Sequence, residues 1–253
     1  LLKKDKFLNY APHTLISLTS FTDLYQSAKS SISEDIAIIK RTFEIQGIGV
    51  VNTLPGAAGG VIFTPKIKKE QALEAAQKIC DQMNDSTRLL PGGYIYLSDL
   101  LGKPDVLHHL GKMIASAYED QKVDVIMTVA TKGVPIAQTV ANYLNVPFVI
   151  VRRDSKITEG ATVSINYVSG SSSRVEKMEL SKRTLPSGSN VLIVDDFLKA
   201  GGTINGMRSL IKEFDSHAVG AVVFCESGIS GHQLQDYSSI IRITEINTEN
   251  HHI

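Results

Sequence analysis

The segment from Val191 to Thr203 constrains the fold of this chain more than any other. Its first four residues, Val191 to Val194, are apolar and rich in β-branching, which is typical of a buried parallel strand. Two adjacent carboxylates, Asp195 and Asp196, follow, and a loop with Gly201-Gly202-Thr203 then leads into an amphipathic helix. This order predicts an α/β domain with an open parallel sheet, in which ligands bind beyond the carboxyl ends of the strands.

The residues of this loop favour a ligand that carries both a phosphate and a diol. Glycines let the backbone approach a phosphate closely, and the N–H groups that open the next helix favour its negative charge. Carboxylates disfavour a phosphate beside them, but they accept hydrogen bonds from sugar hydroxyls or hold a cation. A ribose 5-phosphate meets both requirements, whereas the structural alternative is a buried Asp-Asp pair at an ordinary strand end. A Walker loop is excluded because its Gly-Lys-Ser/Thr ending is missing here.

This segment closely resembles the phosphoribosyl pyrophosphate (PRPP) motif of type I phosphoribosyltransferases. The resemblance implies that Asp195 and Asp196 hold the ribose 2- and 3-hydroxyls, while the loop from Lys199 to Thr203 surrounds the 5-phosphate. It also implies that PRPP binds together with Mg²⁺. The residues assigned to PRPP in this segment are Asp195, Asp196, Phe197, Lys199, Ala200, Gly201, Gly202 and Thr203.

A second strand, loop and helix precede this segment in the chain. Val123 to Val129 are predicted to form a strand and Ala130-Thr131-Lys132-Gly133 a tight loop, after which Pro135 opens a helix. In the resemblance, the loop from Ala130 to Gly133 holds pyrophosphate through its backbone groups. A solvated side chain is the alternative interpretation of Lys132.

The region after the next predicted strand, Val146 to Val151, is polar and basic. The segment from Arg152 to Lys156, which includes Arg153, ends this strand and is expected to meet the same phosphates, because charged donors pair strongly with phosphate oxygens. Arg152 and Lys156 are the residues of this segment that are assigned to PRPP. Residues 155–183 predict a long polar hairpin of the kind that closes over the ligand in these enzymes, and it should be mobile when the site is empty. Tyr94, after a sharp break at Pro91-Gly92-Gly93, is also assigned to the PRPP site.

The first third of the chain has a different pattern, which predicts two short helices. Ser20-Phe21-Thr22-Asp23 can cap the first helix, and Ser31-Ile32-Ser33-Glu34 is a capping-box signature that opens the second. Gly47 is expected to end the second helix. The apolar residues of this second helix fall on one face and are Ile32, Ile36, Ile39 and Phe43.

A hairpin is predicted after these helices, with strands over 48–54 and 61–64 and a wide glycine-rich turn. Helix, turn, helix and hairpin follow one another in this order in a winged helix-turn-helix, whose second helix enters the major groove of DNA. The alternative is a small helical domain that binds only other proteins. The residues expected to contact DNA are Lys29, Ser30, Ser31, Ser33, Lys40, Arg41, Gly59 and Gly60.

Composition narrows the functional classes. The 253 residues are 43% hydrophobic and 21% charged with no net charge, so charge alone does not indicate a nucleic-acid binder. No apolar run approaches membrane length, and no secretory pattern is visible in residues 1–30. Cys80 and Cys225 are far apart and lack the spacing of zinc ligands. These features predict a cytoplasmic protein with no membrane partner and no metal site of its own.

Over its whole length the chain resembles the purine operon regulators of Gram-positive bacteria. The stretches that carry this resemblance are residues 27–35, 55–61, 90–94 and 191–207. The resemblance implies a winged-helix DNA-binding domain over residues 1–66 and a doubly wound, phosphoribosyltransferase-like effector domain over residues 67–253. It also implies a homodimer that binds purine-gene operator DNA and senses PRPP without catalysis. Guanine nucleotides are candidate competitors at the same loops, and both repression and activation are compatible with these residues.

Two other functional classes fit parts of the sequence. A purine phosphoribosyltransferase would use the same PRPP loop, because that reaction proceeds mainly by holding Mg-PRPP and stabilising charge at the anomeric carbon. A scaffold protein would use both domains to bind other proteins. The winged helix, and the lack of an evident set of groups that read a base, favour the regulator.

Overall fold

The computed structural model describes residues 11–56, 58–90, 94–154, 160–169, 174–228 and 234–245. No helix within these ranges is long and apolar enough to cross a membrane. The elements in chain order are α1 (Leu18–Tyr25), α2 (Lys29–Gln46), β1 (Gly49–Leu54), β2 (Gly60–Pro65), α3 (Lys69–Met83), a 3-10 turn (Ser86–Arg88), β3 (Leu89–Leu90), β4 (Tyr94–Ile95), α4 (Pro104–Ala117), β5 (Val125–Val129), α5 (Gly133–Leu144), β6 (Phe148–Val151), β7 (Thr162–Val168), β8 (Val175–Ser181), β9 (Asn190–Leu198), α6 (Gly202–Lys212), β10 (His217–Ser227) and β11 (Ser238–Ile243).

The N-terminal unit has the predicted order of two helices and an antiparallel hairpin, β1–β2. The predicted apolar stripe of α2 is buried, and it packs with Phe21 and the inward residues of the hairpin in one core. Within that core the rings of Phe43 and Phe63 meet edge to face, with centroids 5.2 Å apart. Ile16 adds a third short strand, because its backbone pairs with that of Val61 in both directions. The unit is a winged helix-turn-helix.

The predicted starts of both helices were wrong. Ser17, and not Ser20, caps α1, since its side chain accepts the Ser20 backbone N–H at 3.0 Å. Helix α2 begins at Lys29 without a side-chain cap, so the residues of the predicted capping box lie inside the helix. Ser33 there donates instead to the Lys29 carbonyl at 3.0 Å. The end of α2 was predicted correctly, because Gly47 takes the left-handed conformation with φ of 66°.

The C-terminal unit is built on a five-stranded parallel sheet in the order β11-β10-β9-β5-β6. Helices α4 and α5, with α3, cover one face of this sheet, and α6 covers the other together with the β7–β8 hairpin. Strands buried on both faces explain the continuous apolar runs in the sequence. The predicted doubly wound α/β fold is therefore confirmed.

The chain changes direction across the sheet between β5 and β9. From β5 it proceeds outward to β6, whereas from β9 it proceeds the other way to β10 and β11. The described pairing of β5 with β9 ends at Met127 and Ile193, but β9 stays paired with β10 as far as Leu198. A crevice opens at such a switch point, and ligands of open α/β sheets bind there.

Two boundaries in this region differ from the prediction. Strand β9 continues through Asp195 and Asp196 to Leu198, since β10 still supplies hydrogen-bonding partners beyond the end of β5. Helix α5 begins at Gly133, and Pro135 therefore lies within its first turn rather than at its first position. Both changes bring the acidic pair and the predicted pyrophosphate loop to the same edge of the sheet.

Candidate functional site

A cleft of about 270 Å³ lies at the switch point, beyond the end of β5. Its wall is formed mainly by the end of β9, the following loop and the start of α6. A larger cleft of about 750 Å³ lies between the two units, but neither the acidic pair nor the glycine loop lines it. The residues that line the smaller cleft are Ile95, Leu97, Lys132, Arg153, Ser169, Asp195, Asp196, Phe197, Leu198, Lys199, Ala200, Gly201, Gly202, Thr203, Ile204 and Ser227.

The acidic pair is at the base of this cleft. Asp195 is buried, with 6% of its surface exposed, and its Oδ1 accepts the backbone N–H of Asp196 at 3.0 Å. Burial raises the pKa of the Asp195 carboxyl, and the neighbouring Asp196 carboxylate raises it further. Burial also raises the pKa of Asp196, although the charge of Lys132 partly opposes this shift. Both carboxylates therefore favour a ligand that supplies hydroxyl donors or a cation.

The glycine loop brings backbone N–H groups toward the same cleft. Gly201 precedes α6 in the left-handed conformation, with φ of 84°, which favours glycine. Its α-carbon also faces Leu234, whose Cβ would be only 3.0 Å from any added methyl group. Helix α6 then begins at Gly202, so its N-terminal end lies at the cleft. This arrangement suits a phosphate group.

The loop Ala130–Gly133 lies on the other side of the acidic pair. Its Ala130–Thr131 peptide bond is cis. The backbone carbonyl of Thr131 accepts a hydrogen bond from the Val134 N–H at 3.3 Å. Gly133 packs tightly, because a Cβ there would be 2.3 Å from Thr128 Oγ1 and 2.9 Å from Asp195 Oδ1. Lys132 lines the cleft, whereas Ala130, Thr131 and Gly133 border it without lining it.

Within the segment predicted to meet the phosphates, Arg153 lines the cleft, whereas Arg152, which was assigned to PRPP, does not. The backbone of Arg152 pairs with that of Glu179 in the hairpin, with hydrogen bonds of 3.0 and 2.8 Å. Successive residues of an extended chain point to opposite sides, so only one of two adjacent arginines can face the cleft. That alternation was the signal available in the sequence. Lys156 lies outside the described residues, and Tyr94 is described only through its backbone in β4.

The predicted hairpin is present as β7–β8 and contacts α6, the helix that follows the glycine loop. Tyr167 donates a hydrogen bond to Glu176 at 2.7 Å. Its ring packs on α6, where a Cβ at Gly206 would be 3.0 Å from the Tyr167 ring. Arg153 Nε lies 3.6 Å from Glu176 Oε2, so this ion pair connects the hairpin to a residue that lines the cleft. The predicted turn at residues 170–173 lies outside the described residues.

Most of the predicted DNA contacts lie on the exposed side of α2. Lys29, Ser30, Ser31, Ser33 and Arg41 are exposed and Lys40 is half-buried. The two wing glycines, Gly59 and Gly60, also have packing roles. A Cβ at Gly59 would be 2.2 Å from the Leu54 carbonyl oxygen, and one at Gly60 would be 2.3 Å from that of Ile16. Gly60 is buried, so the structure does not place it on the outer surface of the wing.

Family models match both parts of the chain. Residues 1–65 match the family described as "Bacterial purine repressor, N-terminal", and residues 97–252 match the family described as "Phosphoribosyl transferase domain". The purine biosynthesis transcriptional activator PurR of Lactococcus lactis subsp. lactis (strain IL1403) is 56% identical over 248 residues, which are 98% of this chain and 92% of that protein. The chain belongs to the family of purine biosynthesis transcriptional regulators.

Two members of this regulator family that are almost equally similar to this chain are named differently, one as an activator and the other as a repressor. The purine biosynthesis transcriptional repressor PurR of Bacillus subtilis (strain 168) is 55% identical over 93% of this chain and 83% of that protein. Overall identity therefore does not separate repressor from activator in this family. The predicted division between residues 66 and 67 stays a prediction.

Solved structures confirm the fold of the C-terminal unit. The adenine phosphoribosyltransferase of Thermoanaerobacter pseudethanolicus superposes with a TM-score of 0.56 at 23% identity, over 66% of this chain and 99% of that one. The enzyme from Rhodothermus marinus gives a TM-score of 0.57 at 18% identity, over 68% of this chain and 99% of that one. At these identities the likeness concerns the fold alone.

Proposed function

We propose that this purine biosynthesis regulator binds operator DNA of purine genes through its winged unit and that PRPP in the switch-point cleft changes this binding. One observation carries the proposal: the acidic pair and the glycine loop line the same cleft, in a chain that begins with a winged helix-turn-helix. A sensor of this kind needs a site for the metabolite and a separate surface for DNA.

Each part of PRPP has a matching group in the cleft. The N-terminal end of α6, with Gly201 and Gly202 before it, suits the 5-phosphate. The carboxylates of the buried Asp195 and the half-buried Asp196 can accept hydrogen bonds from the ribose hydroxyls. The loop around Lys132 and the side chain of Arg153 lie where the pyrophosphate can be neutralised.

Mg²⁺ fits this arrangement when it arrives with PRPP. Magnesium is usually held by one or two carboxylates together with phosphate oxygens of the ligand. Asp195 and Asp196 would supply the carboxylates, and the pyrophosphate of PRPP would supply the phosphate oxygens. When bound, the ion neutralises negative charge between ligand and protein. The carboxylates of Asp195 and Asp196 would then orient the sugar through its hydroxyls.

We further propose that the cleft serves for binding and not for turnover. Isothermal titration calorimetry with Mg-PRPP should show binding in the micromolar to millimolar range. The same protein should release no pyrophosphate from PRPP with adenine, guanine, hypoxanthine or xanthine. Steady nucleotide formation from any of these bases would instead establish the purine phosphoribosyltransferase alternative.

DNA binding is tested by fluorescence anisotropy with purine-promoter DNA and an unrelated duplex of equal length. Promoter-selective binding whose dissociation constant changes on addition of PRPP is the expected result. Lack of binding to either duplex would favour a scaffold protein. Light scattering of the same samples tests the proposed homodimer, and a titration with guanine nucleotides tests whether they displace PRPP.

A further inference from the structure

The C-terminal end of α2 is held by side chains from outside the winged unit. The carbonyl of Ile45 accepts a hydrogen bond from Lys68 Nζ at 2.9 Å, and that of Gln46 accepts one from Gln71 Nε2 at 3.0 Å. The carbonyl of Gly47 accepts one from Lys112 Nζ at 2.7 Å. Lys68 and Gln71 lie at the start of α3, whereas Lys112 belongs to α4 in the C-terminal unit. We call these three donors the α2 clamp.

The clamp completes the hydrogen bonding of this helix end. The last carbonyls of a helix have no partner within the helix. Here Ile48 N–H bonds to the Phe43 carbonyl at 2.9 Å and Gly47 N–H to that of Glu44 at 3.4 Å. The next three carbonyls, those of Ile45, Gln46 and Gly47, accept hydrogen bonds from the clamp residues. Two of these donors are cations, which the dipole of a helix favours at its C-terminal end.

Lys112 is the clamp residue that is embedded in the C-terminal unit. It is half-buried, and burial lowers the pKa of its ammonium group. Its neighbour Gly111 lies at a close contact of α4 with α5, since a Cβ there would be 2.4 Å from Thr139 Cγ2. One turn away, Tyr143 and His108 join the same two helices by a hydrogen bond of 2.5 Å. A movement of α5 therefore displaces α4 at Lys112.

Helix α5 starts at the proposed PRPP cleft. Its first residue, Gly133, has no space for a side chain between Thr128 and Asp195. Closely packed interfaces cannot absorb a shift by compression. A continuous packed route thus leads from Asp195 through α5 and α4 to Lys112 and the end of α2.

We propose that Lys112 is the regulatory contact that transmits occupancy of the cleft to the DNA-facing helix α2. A ligand that engages Asp195 repositions Gly133 and α5, α4 follows at Gly111, and Lys112 changes its hold on the Gly47 carbonyl. The orientation of α2 against DNA then depends on the ligand. This inference rests on the proposed PRPP response, and both states must differ at this contact for coupling to occur.

Lys68→Met provides a matched control for Lys112→Met. Both substitutions remove a cationic donor from the same helix end and keep a long side chain, but Lys68 is exposed and lies on α3. The measured quantity is the ratio of DNA dissociation constants with and without PRPP, and calorimetry checks PRPP binding in each variant. Lys112→Arg retains a donor and serves as the rescue variant.

For Lys112→Met, the expected result is unchanged PRPP affinity and a ratio that approaches one, against a wild-type ratio of about 5 to 150 as is typical of allosteric coupling. Lys68→Met and Lys112→Arg should keep most of the wild-type ratio. Equal ratios in Lys112→Met and wild type, or equal losses in both methionine variants, would overturn the role of Lys112 alone. A wild-type protein that binds PRPP without any change in DNA affinity would overturn the proposed function as well.

Discussion

At the scale of single residues, the cleft combines buried charge with very close packing. Asp195 is almost fully buried beside a second carboxylate, and Gly133 leaves no space next to it. Thr128, which is fully buried, contributes a hydroxyl without a hydrogen-bond partner among the described residues. Such features lower the stability of the empty site, and they are common where a protein is organised for a ligand rather than for maximal stability.

The raised pKa of Asp195 gives a prediction about pH and stability. The folded protein binds the Asp195 proton more tightly than the unfolded chain, so stability falls as pH rises from the unfolded pKa of about 4 toward the higher folded pKa. Asp195→Asn removes the cost of ionising this buried carboxyl, and it keeps an oxygen that can accept the Asp196 N–H. We therefore expect the variant to have a higher melting temperature than wild type at neutral pH.

Thermal denaturation at several pH values measures this effect. The gain should disappear at pH values below about 4, where the unfolded chain is also protonated. Each kcal/mol gained corresponds to a shift of roughly 2–4 °C for a chain of this size. Asp23→Asn, at an exposed position of α1, is the control and should show no comparable change. A melting temperature below that of wild type at neutral pH would contradict the prediction.

Gly133→Ala tests the close packing directly. The new methyl group would collide with Thr128 Oγ1 and Asp195 Oδ1, so we expect a loss of about 1–3 kcal/mol in the free energy of unfolding and weaker PRPP binding. Urea denaturation and calorimetry measure the two effects. Adding Thr128→Ala should restore part of the stability but not the PRPP affinity, because the contact with Asp195 remains. Wild-type stability in Gly133→Ala would show that the loop relaxes freely.

At the scale of secondary-structure elements, periodicity identified the buried faces but not the helix starts. The apolar stripe of α2 begins only at Ile32, and its first turn is exposed, so the pattern gave no information about Lys29. The serines favoured a capping box, yet Ala28 precedes the helix without a side-chain cap. The start of α5 at Gly133 was missed for another reason. It depends on clearance from Asp195, which belongs to a distant strand.

The same reasoning explains which part of the site could be predicted. The acidic pair and the glycine loop are contiguous in the chain, so a single segment was sufficient to select them. Ile95, Leu97 and Ser227 reach the cleft from other elements, and only the order of the strands brings them there. Arg153 lies in the segment that was predicted to meet the phosphates. Which of the two arginines faces the cleft could be decided only from the backbone pairing of Arg152 with the hairpin.

Helix α2 has one continuous exposed row of small and basic residues. Ser30, Ser33 and Arg41 lie on it, three or four residues apart with Ala37 between them. We expect Arg41→Ala to weaken operator binding by about 1–3 kcal/mol if the guanidinium reads a base edge. A phosphate contact would instead reduce the salt dependence by about one unit of slope.

Anisotropy titrations at several salt concentrations distinguish these cases. Lys40→Ala tests the neighbouring half-buried position, and Lys78→Ala on α3 controls for the loss of a surface cation. Unchanged affinity and slope in both α2 variants would move the DNA interface elsewhere, for example to the basic segment Lys3-Lys4-Asp5-Lys6, which lies outside the described residues.

At the scale of the whole molecule, the two units are joined at several points and not by a tether alone. Besides the clamp, Asn145 Nδ2 donates a hydrogen bond to Thr14 Oγ1 at 3.0 Å. Lys66 also pairs with Glu119. These contacts involve the ends of α4 and α5, the two helices on the route from the cleft. The arrangement favours transmission between units over independent motion.

The combined substitution of Asp195→Ala and Asp196→Ala tests this coupling. It should abolish PRPP binding and the PRPP response while DNA affinity without PRPP stays near that of wild type, because a ligand acts only through its differential affinity for two states. Calorimetry and anisotropy measure these quantities, and circular dichroism checks the fold. If the folded variant loses DNA binding without PRPP, the acidic pair supports the DNA interface and its assignment to the effector fails.

The short pairing of Ile16 with Val61 has a practical consequence for anyone who truncates this protein. It covers the outer edge of β2, whose other edge is already occupied by β1. His13 extends the cover by donating its N–H to the Phe63 carbonyl at 2.8 Å. An uncovered strand edge is a template for pairing with other chains and hence for aggregation. A deletion that begins the chain at α1 would therefore expose this edge of β2 and favour aggregation, because it removes both Ile16 and His13.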